Sequence, residues 1–123
     1  QYVSQLISSK QYPQAMSVLK QLAAMDPNSS LTYFMMAYVN SFTNDGASAE
    51  KNLLKAIELY PDYKDAVLSL SNLYMIQQKT DDSRKVLTKY LAINPQDTTV
   101  LNQLNKLDPV KTDPVKTDTL KTK

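Results

Sequence analysis

Apolar side chains recur every three or four positions along most of residues 1–107. Two stretches show the pattern clearly: Leu31, Phe34, Met35, Tyr38, Val39 and Phe42, and then Val67, Leu70, Leu73, Tyr74 and Ile76. Such spacing places an apolar stripe along one face of an α-helix. Residues typical of turns interrupt the pattern at 43–46 and 78–81, after which it resumes. The chain is therefore predicted to be a series of helices joined by short turns.

Three prolines divide this pattern into units of equal length. Pro27, Pro61 and Pro95 are evenly spaced, and each follows the end of an apolar-periodic stretch. Because proline lacks the backbone N–H and clashes with the preceding turn, each one marks the end of a helix. Each unit then holds two helices, neither of which can bury its apolar stripe alone. Stacking of successive units buries these stripes, as in a solenoid.

The 34-residue period, the helix pair and the closing proline resemble the tetratricopeptide repeat family. Residues 30–63 match the family pattern best. Their first helix has an aromatic residue near its start and then a large residue followed by a small one, and their second helix has two small residues on either side of a bulky one. These positions are Tyr33, Met36, Ala37, Ala49, Leu53, Ala56 and Pro61. This unit departs from the pattern at Asn40, where an aromatic residue is usual.

The next unit, residues 64–97, keeps most of the same positions. They are Leu70, Ser71, Tyr74, Ser83, Leu87 and Pro95. It departs from the pattern at Val67 and at Tyr90, where a small residue is usual. A tyrosine at this position predicts a locally wider spacing between helices.

Shorter elements flank these two units. Residues 1–29 are interpreted as a partial repeat that keeps Ala15, Leu19 and Pro27 but only about nine residues of its first helix. Residues 97–107 are predicted to form a C-terminal capping helix with one polar face. The resemblance implies an all-α fold over residues 1–107. It would be a right-handed superhelix of antiparallel helix pairs, with about two and a half repeats plus the capping helix.

Residues 108–123 differ in character from the rest. The unit Asp-Pro-Val-Lys-Thr occupies 108–112 and 113–117, and a degenerate copy follows at 118–122. The two prolines prevent a regular helix, and the segment holds too little apolar surface to fold alone. We expect an extended low-complexity tail or linker. A short recognition element or a spacer to a further domain are the alternatives.

Composition excludes several kinds of active site. The chain has no His, no Cys and one glycine, Gly46. Catalytic systems built on His, zinc sites of His and thiolate, and glycine-rich phosphate loops are therefore excluded. Asp81 and Asp82 resemble a metal-chelating pair, but we interpret them as capping residues at a helix start. We expect no catalysis, no cofactor and no metal.

Net charge and hydropathy limit the classes of partner that we expect. The formal net charge of +2 is too small to favour nucleic acid as a partner. No apolar run approaches about 20 residues, so we expect no membrane insertion, and no targeting segment is recognised. Without cysteines, disulfide usage gives no indication of the compartment, and localisation stays unknown.

In the family that the chain resembles, the first helix of each pair lines a concave inner surface, and the resemblance implies that peptides bind there. The groove residues assigned in this way are Phe34, Met35, Tyr38, Phe42, Leu68, Asn72 and Met75, with Leu31, Ser41, Asp65, Ser69 and Ile76 beside them and Thr99, Asn102, Gln103 and Lys106 on the capping helix. Aromatic and methionine side chains favour an apolar or helical protein or peptide partner. Replacing Phe34 and Tyr38 by Ala is expected to remove binding and leave the fold intact.

Chaperone-binding members of the family hold a carboxylate with Lys, Arg and Asn in this groove. The corresponding positions here are Phe34, Tyr38, Ser69, Thr99 and Gln103. None of them is basic, so capture of a chaperone C-terminal carboxylate is not expected. The resemblance therefore predicts a non-catalytic scaffold or adaptor that binds another kind of segment.

Two alternatives remain open at this point. The shortened first helix is expected to expose apolar surface on the second helix, at Met16, Leu19, Leu22 and Ala23. Such an open end of a solenoid favours stacking with another copy, which gives a self-assembling homo-oligomer. The chain could also be a docking or regulatory segment of a larger protein, with residues 108–123 as the linker.

Overall fold

The computed structural model describes residues 2–107, and this part of the chain folds into seven α-helices. They are α1 (Tyr2–Ser8), α2 (Tyr12–Met25), α3 (Ser30–Phe42), α4 (Gly46–Leu59), α5 (Lys64–Ile76), α6 (Thr80–Ile93) and α7 (Thr98–Leu107). The main contacts join consecutive helices, which is the nearest-neighbour packing of a solenoid. None of these helices is long and apolar enough to cross a bilayer. The predicted tail, residues 108–123, lies outside the described residues.

Side chains that accept backbone N–H groups define several helix starts. Ser29 accepts the N–H of Thr32 at 3.4 Å, and Asp45 accepts the N–H of Ser48 at 3.1 Å. Hydrogen bonds from Ser48 hold the pKa of the Asp45 carboxyl below its usual range. At the other ends, α2, α4 and α6 stop just before the three prolines, as the spacing predicts.

The interpretation of Asp81 and Asp82 as capping residues needs correction. The residue at the cap position of α6 is Lys79, and its side chain makes no capping hydrogen bond. Asp81 and Asp82 lie inside the first turn of the helix, where negative charge complements the helix dipole. Asp81 also accepts a hydrogen bond from Arg84, three residues further on.

The turn inside each helix pair has a left-handed residue at the same place. Lys10, Asn44 and Gln78 have φ of 61°, 58° and 62°, and they recur at the period of the repeat. The next residue then donates its N–H back into the first helix, as from Asp45 to Asn40 at 3.0 Å. This conformation is costly for residues other than Gly, and Asn tolerates it best. Its recurrence shows that α1 and α2 are joined by the same turn as the two later pairs.

The expectation of an open apolar surface on α2 is wrong for its central residue. Leu19 is only 1% exposed, and it belongs to a buried cluster with Val3, Leu6 and Ile7 of α1. The cause is that α1, although short, places three apolar residues on the face that meets α2. Met16 packs against the same cluster. Leu22, near the end of the helix, stays exposed.

Two of the three departures from the family pattern, Asn40 and Tyr90, have polar partners. Asn40 is buried, and its side-chain oxygen accepts a hydrogen bond from the Asn52 side chain at 2.8 Å. Tyr90 is buried in the cluster around Leu87, and its hydroxyl donates to the Asp97 carboxylate at 2.9 Å. A buried polar group is tolerated when it has a partner, and this explains how both residues fit.

Candidate partner-binding groove

The first helices of two successive pairs, α3 and α5, form the walls of a groove, and α4 forms its floor. We call this the inner groove, and it encloses about 310 Å³. Its walls are Phe34, Ala37, Tyr38 and Ser41 of α3 and Ser69, Asn72, Leu73 and Ile76 of α5, and its floor is Ala49 and Leu53 of α4. Small alanines at the base and large side chains at the rim leave room for a partner's side chain.

Two aromatic side chains at the rim of the inner groove are half-exposed and held in place by ring contacts. Tyr38 is 49% exposed, and its ring meets that of Phe42 edge to face with centroids 5.0 Å apart. Phe42, 47% exposed, also stacks on Tyr12 of α2 at 5.1 Å. Rings fixed by such contacts lose little conformational freedom when a partner covers them. These rings give the groove a preorganised apolar edge.

The Phe34 side chain contacts both the inner groove and the core. Its ring lines the inner groove, and it also packs against Tyr63 with centroids 5.1 Å apart. Burial, with the nearby Asp65 and Tyr60, raises the pKa of Tyr63, so this ring is an uncharged packing partner. Phe34 further contacts the buried cluster around Ala37 and Leu53. Phe34 is therefore part of the core as well as part of the groove wall.

The structure distributes the other predicted groove residues among three places. Asn72 lines the inner groove beside Phe34 and Tyr38. Phe42 and Met75 are exposed but do not line the cavity itself. Met35 and Leu68 are half-buried because each packs against a core cluster, Met35 near Val3 and Leu68 near Val100. Whether any of them binds a partner stays a prediction.

Several residues of the site were missed by sequence reasoning. The wall residue Ala37 and the floor residues Ala49 and Leu53 were recognised only as packing positions, although they shape the cavity. Leu73 was assigned to the apolar stripe, and it faces both the core and the groove. The signal for these residues was the small–bulky alternation itself, because small residues at a helix contact leave space above them.

The two helices that form the walls of the inner groove, α3 and α5, carry almost no charged residues. α3 contains no charged residue, and α5 carries only Lys64 and Asp65, both in its first turn. Lys64 forms an ion pair with Asp97 at 3.1 Å. The charged side chains instead lie on α4 and α6, at Glu50, Lys51, Lys55, Glu58, Asp81, Asp82, Arg84, Lys85 and Lys89. The inner groove therefore presents neutral polar groups, such as Ser69 and Asn72, around an apolar centre.

Acidic side chains are dispersed in the described part of the chain. Among residues 2–107, no group of three or more His, Cys, Asp or Glu side chains lies close enough together to hold a metal ion.

Comparison with known proteins gives one family. The family model for the tetratricopeptide repeat matches residues 43–107, more than half of the 123-residue chain. The matched part runs from the end of α3 through α7. No curated protein matches the chain.

Solved structures with the same fold extend this result to the first helices. The first such domain of Spaghetti (RPAP3), bound to the HSP90 peptide SRMEEVD, has a TM-score of 0.73 and 18% identity over 91% of both chains. The translocator chaperone SycD of Yersinia enterocolitica has a TM-score of 0.75 and 11% identity, over 91% of this chain and 82% of its own. The MamA protein has a TM-score of 0.72 and 20% identity, over 89% of this chain.

These identities are low, and the likeness concerns the fold. The prediction of an all-α superhelix of the tetratricopeptide type is confirmed. The chain spans 60% of the length of the MamA protein.

Proposed function

Because this chain belongs to the tetratricopeptide repeat family, we propose that it is a protein-interaction module that holds an apolar peptide or helical segment in the inner groove. The observation that carries the proposal is an open cavity of about 310 Å³ beside the half-exposed Tyr38, between two helices almost free of charge. A preformed apolar cavity with a few polar groups is the usual form of a binding site.

The chemistry of the groove selects the kind of segment. A charged side chain that enters the groove loses water and meets no opposite charge at Phe34 or Tyr38. An aliphatic or aromatic side chain gains by covering the rings of Tyr38 and Phe42 and by filling the space above Ala49. Asn72 and Ser69 can hydrogen-bond to the polar backbone or side chains of the segment.

Two of the similar structures hold chaperone peptides with acidic ends, SRMEEVD and, in the second domain of human RPAP3, SGPTIEEVD. A groove for such peptides needs cations that pair with carboxylates. In this chain the corresponding positions include Phe34, Tyr38 and Ser69, and α3 has no Lys or Arg. We therefore expect the partner to differ in charge from those peptides, even though the fold is the same.

Selection from a random-sequence peptide library with the intact chain tests the proposal. The selected peptides are expected to be apolar and poor in acidic residues, whereas SRMEEVD is expected not to bind. Tyr38→Ala is expected to weaken binding of a selected peptide at least about tenfold, the effect of a central aromatic contact. Tyr2→Ala is the matched control, since Tyr2 is a more exposed tyrosine outside the groove. Equal loss in both variants, or tight binding of SRMEEVD, would contradict the proposal.

Self-assembly is the alternative function. It was expected from exposed apolar surface on α2, and part of that surface is covered in the structure. The covering of Leu19 by α1 leaves Leu22 and Met25, near the end of α2, as the exposed apolar residues there. Sedimentation over a concentration series separates the two functions, because a persistent monomer excludes self-assembly.

A further inference from the structure

A second groove lies on the opposite side of the helix layers, between the second helices α4 and α6. We call it the outer groove, and it encloses about 430 Å³. Apolar side chains from both helices line it at helical spacing, Leu54 and Ile57 from α4 and Val86, Tyr90 and Ile93 from α6. Its base is Val67 of α5, which is buried. The outer groove shares no lining residue with the inner groove.

Two of the apolar side chains in the outer groove, Leu54 and Ile93, are not required by the core. Leu54 is 46% exposed and Ile93 is 53% exposed, so neither side chain is needed to fill the core. The repeat allows an internal comparison with the groove between α2 and α4. There the equivalent positions, 34 residues earlier, hold residues that are smaller or polar, except the last. Lys20, Ala23, Asn52 and Ala56 correspond there to Leu54, Ile57, Val86 and Tyr90. Leu59 corresponds to Ile93.

Tyr90 forms a firm wall of the outer groove. Its ring is packed among Val67, Leu87 and Val100, and its hydroxyl donates to Asp97 at 2.9 Å. Asp97 also pairs with Lys64 at 3.1 Å. The departure from the family pattern at Tyr90 thus places a large, fixed ring where a small residue is usual, and that ring adds apolar area to the groove.

Length and charge define the occupant. The lining positions on α6, from Val86 to Ile93, extend over two turns, about 10 Å at 1.5 Å per residue, and those on α4 extend over about one turn. The length on α6 matches the anchors of an amphipathic helix at i, i+3, i+4 and i+7. On the α4 rim, Glu58 already pairs with Lys55 at 3.5 Å. On the α6 rim, Lys89 is exposed, and Lys85 lies one turn before it.

We infer that the outer groove is a second docking surface, which binds an amphipathic partner helix with an aliphatic stripe and acidic side chains along the edge that meets Lys85 and Lys89. The aliphatic stripe covers Leu54, Ile93 and the ring of Tyr90, whereas the acidic edge complements the α6 rim. A partner of this kind differs from the neutral segment proposed for the inner groove, and the two surfaces can be occupied together.

A charge-swap experiment with the intact chain tests this inference. The probes are two labelled helical peptides of about 18 residues, long enough to form a helix, with the same leucine stripe but either Glu or Lys along one edge. Fluorescence anisotropy at low ionic strength is expected to show about fivefold tighter binding of the Glu peptide. Lys89→Glu is expected to reverse this preference. Because Lys89 is exposed, its replacement keeps the test valid even if an apolar-to-charged variant fails to fold.

Variants at the apolar residues locate the binding surface. Ile93→Glu is expected to weaken binding of the Glu peptide at least about tenfold, because it places a charge in the apolar contact. Met25→Glu is the matched control on α2, and Tyr38→Ala is the control for the inner groove. Both are expected to stay within about twofold of the unchanged chain, as residues outside a contact do. Circular dichroism and thermal melting confirm that each variant is folded.

Three results would overturn the inference. The first is the absence of binding, or of any preference between the Glu and Lys peptides. The second is loss of binding in Tyr38→Ala but not in Ile93→Glu, which would locate the peptide in the inner groove. The third is a dimer of the chain alone that Ile93→Glu dissociates in sedimentation, since the occupant would then be a second copy.

Discussion

The helix pairs α3–α4 and α5–α6 have the same architecture but different chemistry at equivalent positions. In the first pair, the small residues at the interface of the two helices are Ala37 and Ala49, which are both buried. In the second pair, the equivalent residues are Ser71 and Ser83, whose hydroxyl oxygens lie 2.6 Å apart. Ser83 also lies within hydrogen-bond distance of the Ser71 backbone carbonyl at 3.2 Å. One contact is therefore apolar and the other is hydrogen-bonded.

The two pairs also differ at positions 40 and 56 of the first pair and their equivalents in the second. Asn40 stands where the second pair has Tyr74, whose hydroxyl donates to Glu50 of α4 at 3.0 Å. Ala56 stands where the second pair has Tyr90, which donates to Asp97. Tyrosine hydroxyl groups with half-buried carboxylate partners thus join α5 and α6 to neighbouring elements. The comparison teaches that the architecture accepts differences in both size and polarity at these positions when every buried polar group keeps a partner.

The largest expected effect comes from making the second pair like the first at Tyr90. Tyr90→Ala is expected to lower the free energy of unfolding by about 3–5 kcal/mol, the range for a large buried aromatic side chain. It leaves a cavity beside Val67 and removes a donor to Asp97. Urea unfolding followed by circular dichroism measures the change. Tyr90→Phe keeps the ring and is expected to cost about 1 kcal/mol. Equal values for the two variants would show that the ring itself contributes nothing.

The converse substitution fills a contact that is small in the first pair. Ala56→Leu is expected to cost about 1–3 kcal/mol, because Ala56 is fully buried in the cluster with Leu53 and Leu70 and a larger side chain overpacks the contact. Ala47→Leu on the exposed face of α4 serves as the control. Thermal unfolding that gives the same melting temperature for Ala56→Leu and Ala47→Leu would contradict the packing that we describe.

The serine pair offers a test of polarity at constant size. Ser83→Ala is expected to cost about 1–2 kcal/mol, because the buried Ser71 hydroxyl loses its partner. The double variant Ser71→Ala with Ser83→Ala reproduces the alanine pair of α3–α4, and its cost is expected to be less than the sum of the two single costs. Chemical unfolding of the four proteins in a double-mutant cycle measures the coupling. Strict additivity would show that the two hydroxyls do not depend on each other.

The last expected effect concerns pH and is confined to alkaline solution. Burial, followed by the hydrogen bonds to Glu50 and Asp97, raises the pKa of Tyr74 and of Tyr90 from 10.0 to about 12. A raised pKa in the folded state means that the folded chain binds more protons than the unfolded chain between these values. The contribution to stability is therefore complete below pH 10 and is lost as the pH rises towards 12. Unfolding measured from pH 9 to 12 is expected to show this decline, and the double variant Tyr74→Phe with Tyr90→Phe to show less of it.

Much of the fold follows from the sequence, because its signals are local. The prolines and the small residues specify where helices end and where they can approach, and these features are present in the structure. The left-handed turns at Lys10 and Gln78 carried no glycine as a signal. The covering of Leu19 by α1 depends on contacts between helices, which the pattern of a single helix does not contain.

The candidate site was predictable only in part for the same reason. Helical spacing assigns residues to one face, but that face is wide, and its edges meet different neighbours. Tyr38 lies at the centre of the face and opens into the inner groove. Met35 and Leu68 lie at its edges and pack against core clusters. The ring of Tyr12, which supports Phe42, belongs to another helix pair and could not be assigned from α3 alone.

The double replacement of Phe34 and Tyr38 needs a revised expectation for stability. Phe34 contacts Tyr63 and the buried cluster around Leu53, so Phe34→Ala is expected to destabilise the fold. Tyr38 is half-exposed and makes its ring contact at the surface. Tyr38→Ala is therefore the cleaner variant for measurements of binding.

The most direct test of the central claim is an NMR titration of the intact, isotope-labelled chain with an apolar peptide selected from the library. The account predicts that the largest shifts of backbone amide signals occur at α3 and α5 around Tyr38, Ser41 and Asn72, and that they vanish in Tyr38→Ala. Shifts confined to residues outside the inner groove, or shifts unchanged in Tyr38→Ala, would contradict it.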